Sequence, residues 1–105
     1  MKYIVDTNAL IYAAKKKQDL SDKIDGPILI PNLVIDELKK LAEEAKRGSD
    51  RAAARLALKI IDHKGWKTIK LEKGHTDSKI VEYAKENGCK IYTFDKALKK
   101  AERKL

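Results

Sequence analysis

The chain begins MKYIVDTNAL (residues 1–10), where an apolar segment runs directly into Asp-Thr-Asn. The segment Tyr3-Ile4-Val5 is short, apolar and β-branched, which indicates a buried strand. Asp6 follows that strand at once. In an open parallel sheet, sites form outside the carboxyl ends of the strands. The significance of Asp6 therefore depends on whether other acids reach the same edge of the sheet.

Short apolar segments alternate with longer helical patterns along the whole chain. Strands are predicted at residues 3–5, 28–30, 68–71 and 91–94, and helices at about 8–17, 33–47, 50–64, 77–87 and from 96 onward. The polar segment 18–26 is predicted to be a loop. The predicted N-caps are Asn32, Ser49 and Thr76, and the glycines expected after helix ends are Gly48, Gly65 and Gly88. The alternation predicts one α/β domain over residues 1–105, in three α/β/α layers, with helices on both faces of a parallel sheet.

Further acidic residues are predicted at the edge where Asp6 lies. In the helix that follows the second strand, Glu37 lies at the border of the apolar stripe, whereas Asp36 points to solvent. Asp77 heads the apolar stripe of its helix, and Asp95 directly follows the fourth strand. The pattern therefore brings four acids together, Asp6 and Asp95 from strand ends and Glu37 and Asp77 from helices.

Each of these acids also has a simpler interpretation when it is taken alone. Asp6 could cap the first helix, and Asp77 and Asp95 could be first-turn acids favoured by the helix dipole. Glu37 could pair with a nearby lysine. Four clustered carboxylates repel one another, however, and a hard divalent cation such as Mg²⁺ or Mn²⁺ relieves that repulsion. Such a site suits phosphodiester hydrolysis, because a bound ion activates water and steadies the leaving oxygen.

The composition favours an anionic partner. Lys and Arg total 24 against 16 Asp and Glu, which gives a formal charge of +8, and without the four clustered acids the remaining 12 face the same 24 basic residues. This excess suits nucleic acid, although a charged solubilising surface of the kind common in thermophile proteins is the alternative. The single cysteine, Cys89, excludes an internal disulfide. With no apolar run of membrane-spanning length and no signal peptide, we expect a cytoplasmic protein.

Three segments of the chain resemble the PIN-domain ribonucleases. They are IVDTNALI (4–11), IPNLVIDELKKL (30–41) and HTDSKIVEYAKENGCKIYTFDKAL (75–98). The resemblance implies a sheet of order 3-2-1-4, with a fifth edge strand left open, and Mg²⁺- or Mn²⁺-dependent endonucleolytic cleavage of single-stranded RNA. It also implies homodimers in many members and, because the family includes toxin nucleases and rRNA-processing nucleases, an antitoxin or ribosome-assembly partner.

The resemblance also assigns roles to particular residues. The family's metal-binding and catalytic acids fall on Asp6, Glu37, Asp77 and Asp95. Thr7 and Asn8 would line the same pocket, Thr7 through a hydroxyl contact to metal-bound water or to a carboxylate.

The chain departs from the family pattern at two positions. Phe94 stands where many members have Asn, and Ser78 stands where some have a second Asp. The alternative function is therefore a catalytically weak or inactive PIN-like domain that binds RNA or protein. Basic residues that could contact phosphates on either interpretation are Lys15, Lys16, Arg51, Arg55, Lys96 and Lys99, although a solvated helix face is the alternative for the C-terminal lysines.

Overall fold

A computed structural model of the chain describes residues 1–93. Its strands are β1 (Tyr3–Val5), β2 (Ile28–Pro31), β3 (Lys67–Ile69) and β4 (Lys90–Tyr92), and its helices are α1 (Thr7–Lys16), α2 (Leu20–Lys23), α3 (Asn32–Glu44), α4 (Gly48–Lys64) and α5 (Thr76–Asn87). The strands form a parallel sheet of order β3-β2-β1-β4, which confirms the predicted order. The predicted helix from residue 96, which contains Lys96 and Lys99, lies outside the described residues, and so does Asp95.

The core is centred on β1 and β2, the two inner strands. Ile4 of β1 lies opposite Leu29 of β2 and Ile91 of β4, and all three side chains are buried. Helices α1, α3 and α4 pack on one another. Because crossovers between parallel strands are right-handed, α5 covers the opposite face of the sheet. Both inner strands are therefore covered on both faces, which explains why their sequences are continuously apolar.

The segment 18–26 differs from its prediction as a loop, because it contains the short helix α2. The Asp19 side chain caps this helix by accepting a hydrogen bond of 2.9 Å from the Ser21 amide. Leu20 and Ile24 are buried, and their four-residue spacing is the sequence feature that indicates a helical turn.

Several predicted helix boundaries are wrong by one to three residues. Asn32, Ser49 and Thr76 lie inside the first turns of their helices, whose N-caps are Pro31, Arg47 and His75. Gly48 begins α4 instead of following a helix end, because α3 already ends at Glu44. Gly65 and Gly88 follow helix ends as predicted, in the left-handed conformation with φ of 65° and 63°.

Candidate active site

Asp6 is held between the end of β1 and the start of α1. Its backbone amide extends the β1–β4 pairing with a 3.4 Å bond to the Tyr92 carbonyl. One carboxylate oxygen, Oδ1, caps α1 by accepting from the Ala9 amide at 3.0 Å. The other, Oδ2, accepts from the Thr93 hydroxyl. Asp6 is only 5% exposed, so these contacts fix the carboxylate at the carboxyl edge of the sheet.

Glu37 is held by two threonine hydroxyls that come from different elements. Thr7 Oγ1 donates to Glu37 Oε2 at 2.7 Å, and Thr76 Oγ1 donates to Glu37 Oε1 at 2.5 Å. Both oxygens of the Glu37 carboxylate therefore act as hydrogen-bond acceptors. Glu37 is half-buried and its neighbour Asp36 is exposed, as the helical periodicity indicates.

These two acids and the start of α5 share one edge of the sheet. Thr7 directly follows Asp6, and Thr76 directly precedes Asp77. The hydrogen bonds to Glu37 therefore connect the segments that carry three of the predicted acids. Asp77 is half-buried at the start of α5. Asn8, predicted to line the same pocket, is exposed in the first turn of α1.

The donor chemistry of these residues fits a hard divalent cation, since carboxylate oxygens are the ligands that Mg²⁺ and Mn²⁺ prefer. Within residues 1–93, no three side chains of His, Cys, Asp or Glu are grouped closely enough to hold a metal ion. The fourth predicted ligand, Asp95, lies outside that range.

Asn32 connects the site helix α3 to the segment that follows β3. Its Oδ1 accepts from the Leu71 amide at 2.7 Å, and its Nδ2 donates to the Leu71 carbonyl at 3.2 Å. The side-chain amide thus takes the place of a backbone peptide just beyond the last β2–β3 pair, Pro31 with Ile69. This pairing fixes the beginning of the segment that leads to Thr76.

Two of the predicted phosphate-contacting residues make defined contacts within the protein. The ammonium group of Lys15 pairs with Asp50 and joins α1 to α4. This contact lowers the pKa of the Asp50 carboxyl from its ordinary value. The Arg51 guanidinium donates to the carbonyls of Ala45 and Lys46, at 2.6 and 3.3 Å, and so satisfies the C-terminal end of α3.

Lys16 and Arg55, the other two predicted phosphate-contacting residues within residues 1–93, are at the surface. The ammonium group of Lys16 lies 5.9 Å from the centroid of the Tyr12 ring, at the distance of a cation–π contact. Arg55 is exposed on α4. Among the six predicted phosphate contacts, Arg55 is therefore the clearest surface cation in the described part of the chain.

A parallel α/β sheet of order β3-β2-β1-β4, with Asp6 and Glu37 at its carboxyl edge, fits the class of PIN-type domains, and comparison with known proteins agrees. The PIN like domain family matches residues 3–104, and the chain belongs to this family. It is 36% identical to ribonuclease VapC9 of Archaeoglobus fulgidus over 101 residues, covering 92% of this chain and 72% of that protein. It is 33% identical to ribonuclease VapC4 of Methanocaldococcus jannaschii over 106 residues, covering 93% of this chain and 79% of that protein.

A solved structure supports the fold independently. It is a domain of a functionally unknown protein from Methanocaldococcus jannaschii, with a TM-score of 0.66 and 22% sequence identity. The match covers 98% of this chain and 85% of that one.

The sequence pattern does not indicate a site role for three polar residues, two of which contact the acids directly. It indicates Thr76 and Asn32 only as N-caps, and Thr93 only as a strand residue. Their contacts join residues 39, 39 and 87 positions apart. No local pattern encodes contacts over such separations. The one usable sequence feature is position, because each of these residues lies at the carboxyl end of a strand or the start of a helix.

Proposed function

We propose that the protein is a divalent-metal-dependent endoribonuclease that hydrolyses phosphodiester bonds of single-stranded RNA. The observation that carries the proposal is that the hydroxyls of Thr7 and Thr76 join Glu37 to the segments that carry Asp6 and Asp77, at one edge of the sheet. The relatives named as ribonucleases, with at least 33% identity over most of the chain, support RNA as the substrate. The formal charge of +8 suits a phosphate backbone.

The proposed metal ligands are Asp6, Glu37, Asp77 and Asp95. An ion held by these residues, Mg²⁺ or Mn²⁺, would supply activation of a water and stabilisation of the leaving oxygen. Hydrogen bonds within the protein hold two of these carboxylates, Asp6 and Glu37, in place. Thr93 and the Ala9 amide orient Asp6, and Thr7 and Thr76 orient Glu37. In this proposal Glu37 is either a further ligand or the group that orients the attacking water.

The basic residues of the surface have the task of attracting and orienting RNA. The excess positive charge raises the local concentration of an anionic strand without reading its bases. Arg55 and Lys16 are the described candidates for phosphate contact, whereas Lys15 and Arg51 are paired within the protein.

The first experiment is cleavage of a labelled single-stranded RNA in Mn²⁺, with EDTA and the Asp6→Asn protein as controls. We expect cleavage by the wild-type protein and its loss in both controls. The matched pair Glu37→Gln and Asp36→Asn tests the helix face, because the two acids are adjacent but only Glu37 faces the site. Glu37→Gln should lose most of the activity, and Asp36→Asn should keep it.

The cleavage assay and a measurement of the melting temperature together decide between the nuclease and the alternative, a PIN-like domain that only binds RNA or protein. Mn²⁺ should raise the melting temperature of the wild-type protein, because an ion that binds only the folded state stabilises it. Absence of cleavage together with absence of this shift would favour the binding domain.

The cellular role, as a toxin nuclease with an antitoxin or as an rRNA-processing nuclease, stays a prediction, as do the homodimer and the cytoplasmic location. Within residues 1–93, no helix combines the length and the apolar character needed to cross a membrane.

A further inference from the structure

Thr76 makes a contact that its position in α5 does not require. As the first residue of α5 it lies one position after the N-cap, His75, which makes no side-chain capping bond. The hydroxyl of Thr76 is directed instead across to α3, where it donates to Glu37 Oε1 at 2.5 Å. A hydrogen bond between residues 39 positions apart links two helices that cover opposite faces of the sheet.

Glu37 receives a matching contact on its other oxygen. Thr7 Oγ1 donates to Oε2 at 2.7 Å, so the two hydroxyls hold the carboxylate from two sides. A glutamate side chain held by one hydrogen bond can still rotate about its last torsion, which is broad. A second bond on the other oxygen removes this freedom. The pair therefore sets both the position and the plane of the carboxylate.

The threonine side chain is suited to this task. Its branched Cβ restricts χ1 and so limits the directions that the hydroxyl can take, and Thr76 is half-buried. The bond also defines where α5 begins relative to α3, and Asp77 is the next residue.

We infer that Thr76 is a positioning residue of the active site, which orients the Glu37 carboxylate and holds the start of α5, with Asp77, against α3. The inference rests on the proposed nuclease function and adds a residue to it. Thr76 touches Glu37 rather than the reacting atoms. Its loss should therefore weaken Mn²⁺ binding and slow the chemical step, while RNA binding should remain.

The test compares Thr76→Val, Thr76→Ser and the wild-type protein, each with the full chain. Val keeps the branched shape and loses the hydroxyl, and Ser keeps the hydroxyl and loses the methyl group. We expect Thr76→Val to lower Mn²⁺ affinity or kcat by about 10- to 100-fold, the usual cost of removing a group that orients a metal ligand. The KM for RNA should be nearly unchanged. Thr76→Ser should recover most of the loss.

The matched control is Thr68→Val, which makes the same chemical change at an exposed position of β3. Mn²⁺ affinity is measured by titration calorimetry without RNA, well below the melting temperature of each variant. A role of Thr76 in stability alone would lower the melting temperature and leave Mn²⁺ affinity and kcat unchanged, which would overturn the inference.

The outcomes separate this inference from the proposed function. Wild-type cleavage that is lost in Asp6→Asn but kept in Thr76→Val would overturn only the role of Thr76. Wild-type Mn²⁺ binding without cleavage would overturn the nuclease, and the affinity of Thr76→Val would then decide the role of Thr76. If the wild-type protein neither binds Mn²⁺ nor cleaves RNA, both are overturned.

Discussion

Asp6 combines a structural and a proposed chemical role in one side chain. Oδ1 caps α1 through the Ala9 amide, and Oδ2 accepts from the hydroxyl of Thr93, beside β4. Asp6 can therefore serve both as a helix cap and as a residue of the proposed site, because its two carboxylate oxygens make different contacts. A substitution at this position must be chosen so that it separates the two roles.

Asp6→Asn and Asp6→Ala should affect stability differently. Asn keeps an oxygen that accepts from Ala9, and the Thr93 hydroxyl can rotate to accept from the new amide. Ala removes the cap and leaves the buried Thr93 hydroxyl without this partner, at a cost of about 1–3 kcal/mol in the free energy of unfolding. Urea unfolding measures this difference. Equal stability of the two variants would contradict the capping role, and Mn²⁺-dependent cleavage should be lost in both.

At the level of whole elements, side chains rather than backbone make several of the connections. Asn32 pairs with the backbone of Leu71, and Arg51 satisfies carbonyls at the end of α3. Both residues connect the site helix α3 to a neighbouring segment. Arg51 was predicted to contact RNA, and the structure gives it an internal role that the sequence pattern of basic residues cannot distinguish from a surface one.

Asn32→Ala should loosen the segment between β3 and α5. The variant loses both bonds to Leu71, so amides from Leu71 to Thr76 should exchange hydrogen faster, and the protein should lose about 1–3 kcal/mol of unfolding free energy. Hydrogen-exchange mass spectrometry measures the local effect. Asn87→Ala is the matched control, because the exposed Asn87 side chain donates within its own helix, to the Tyr83 carbonyl. Unchanged exchange in Asn32→Ala would exclude the proposed connection.

Arg51→Ala and Arg55→Ala should separate stability from RNA binding. Arg51→Ala removes the bonds to the carbonyls of Ala45 and Lys46, just after α3, and should lower the unfolding free energy by about 1–2 kcal/mol. Arg55→Ala should leave stability within about 0.5 kcal/mol, as is usual at the surface. It should weaken RNA binding and reduce the slope of log affinity against log salt concentration by about one, as expected for one lost phosphate contact. Thermal unfolding and RNA titrations at several salt concentrations measure the two effects. Weaker RNA binding by Arg51→Ala, with unchanged RNA binding by Arg55→Ala, would place the RNA contact at Arg51.

Over the whole molecule, two ion pairs connect α4 to the α1–α2 region. Lys15 pairs with Asp50, and Lys64 bonds to Asp19 at 2.7 Å. The contacts from Lys64 and Lys15 lower the pKa of Asp19 and Asp50 below the ordinary value of 3.8. Both pairs are at the surface, where such contributions are small and weakened by salt.

These pairs predict an acid-dependent part of the stability. A carboxyl whose pKa is lowered by folding contributes stability that is complete above its unfolded pKa and is lost as the pH falls through its folded pKa. The melting temperature should therefore fall as the pH drops below about 4. The double variant Asp19→Asn with Asp50→Asn should be slightly less stable near neutral pH, with a shallower acid decline. An identical decline in the double variant would assign the effect to other acids, and high salt should reduce the difference between the two proteins.

The sequence predicts the architecture well and the fine structure of the site only in part. Continuous apolar segments such as Tyr3–Val5 and Ile28–Pro31 indicate buried parallel strands, and their alternation with amphipathic helices restricts the topology. Periodicity also places Glu37 toward the site and Asp36 toward solvent. It cannot show that Thr76 and Thr93 donate to these acids, because such contacts depend on how closely distant segments approach after folding.

The pairing of β1 with β4 also has a bearing on synthesis of the protein. β1 is synthesised well before β4, yet its outer neighbour is Lys90–Tyr92, and the hydroxyl that donates to Asp6 belongs to Thr93. A nascent chain that has not reached these residues lacks the partner of β1 on that side. Its open strand edge is then exposed to pairing with other chains, and Asp6 lacks its contact with Thr93. The arrangement of Asp6 that we propose for catalysis is therefore completed only after translation has passed Thr93.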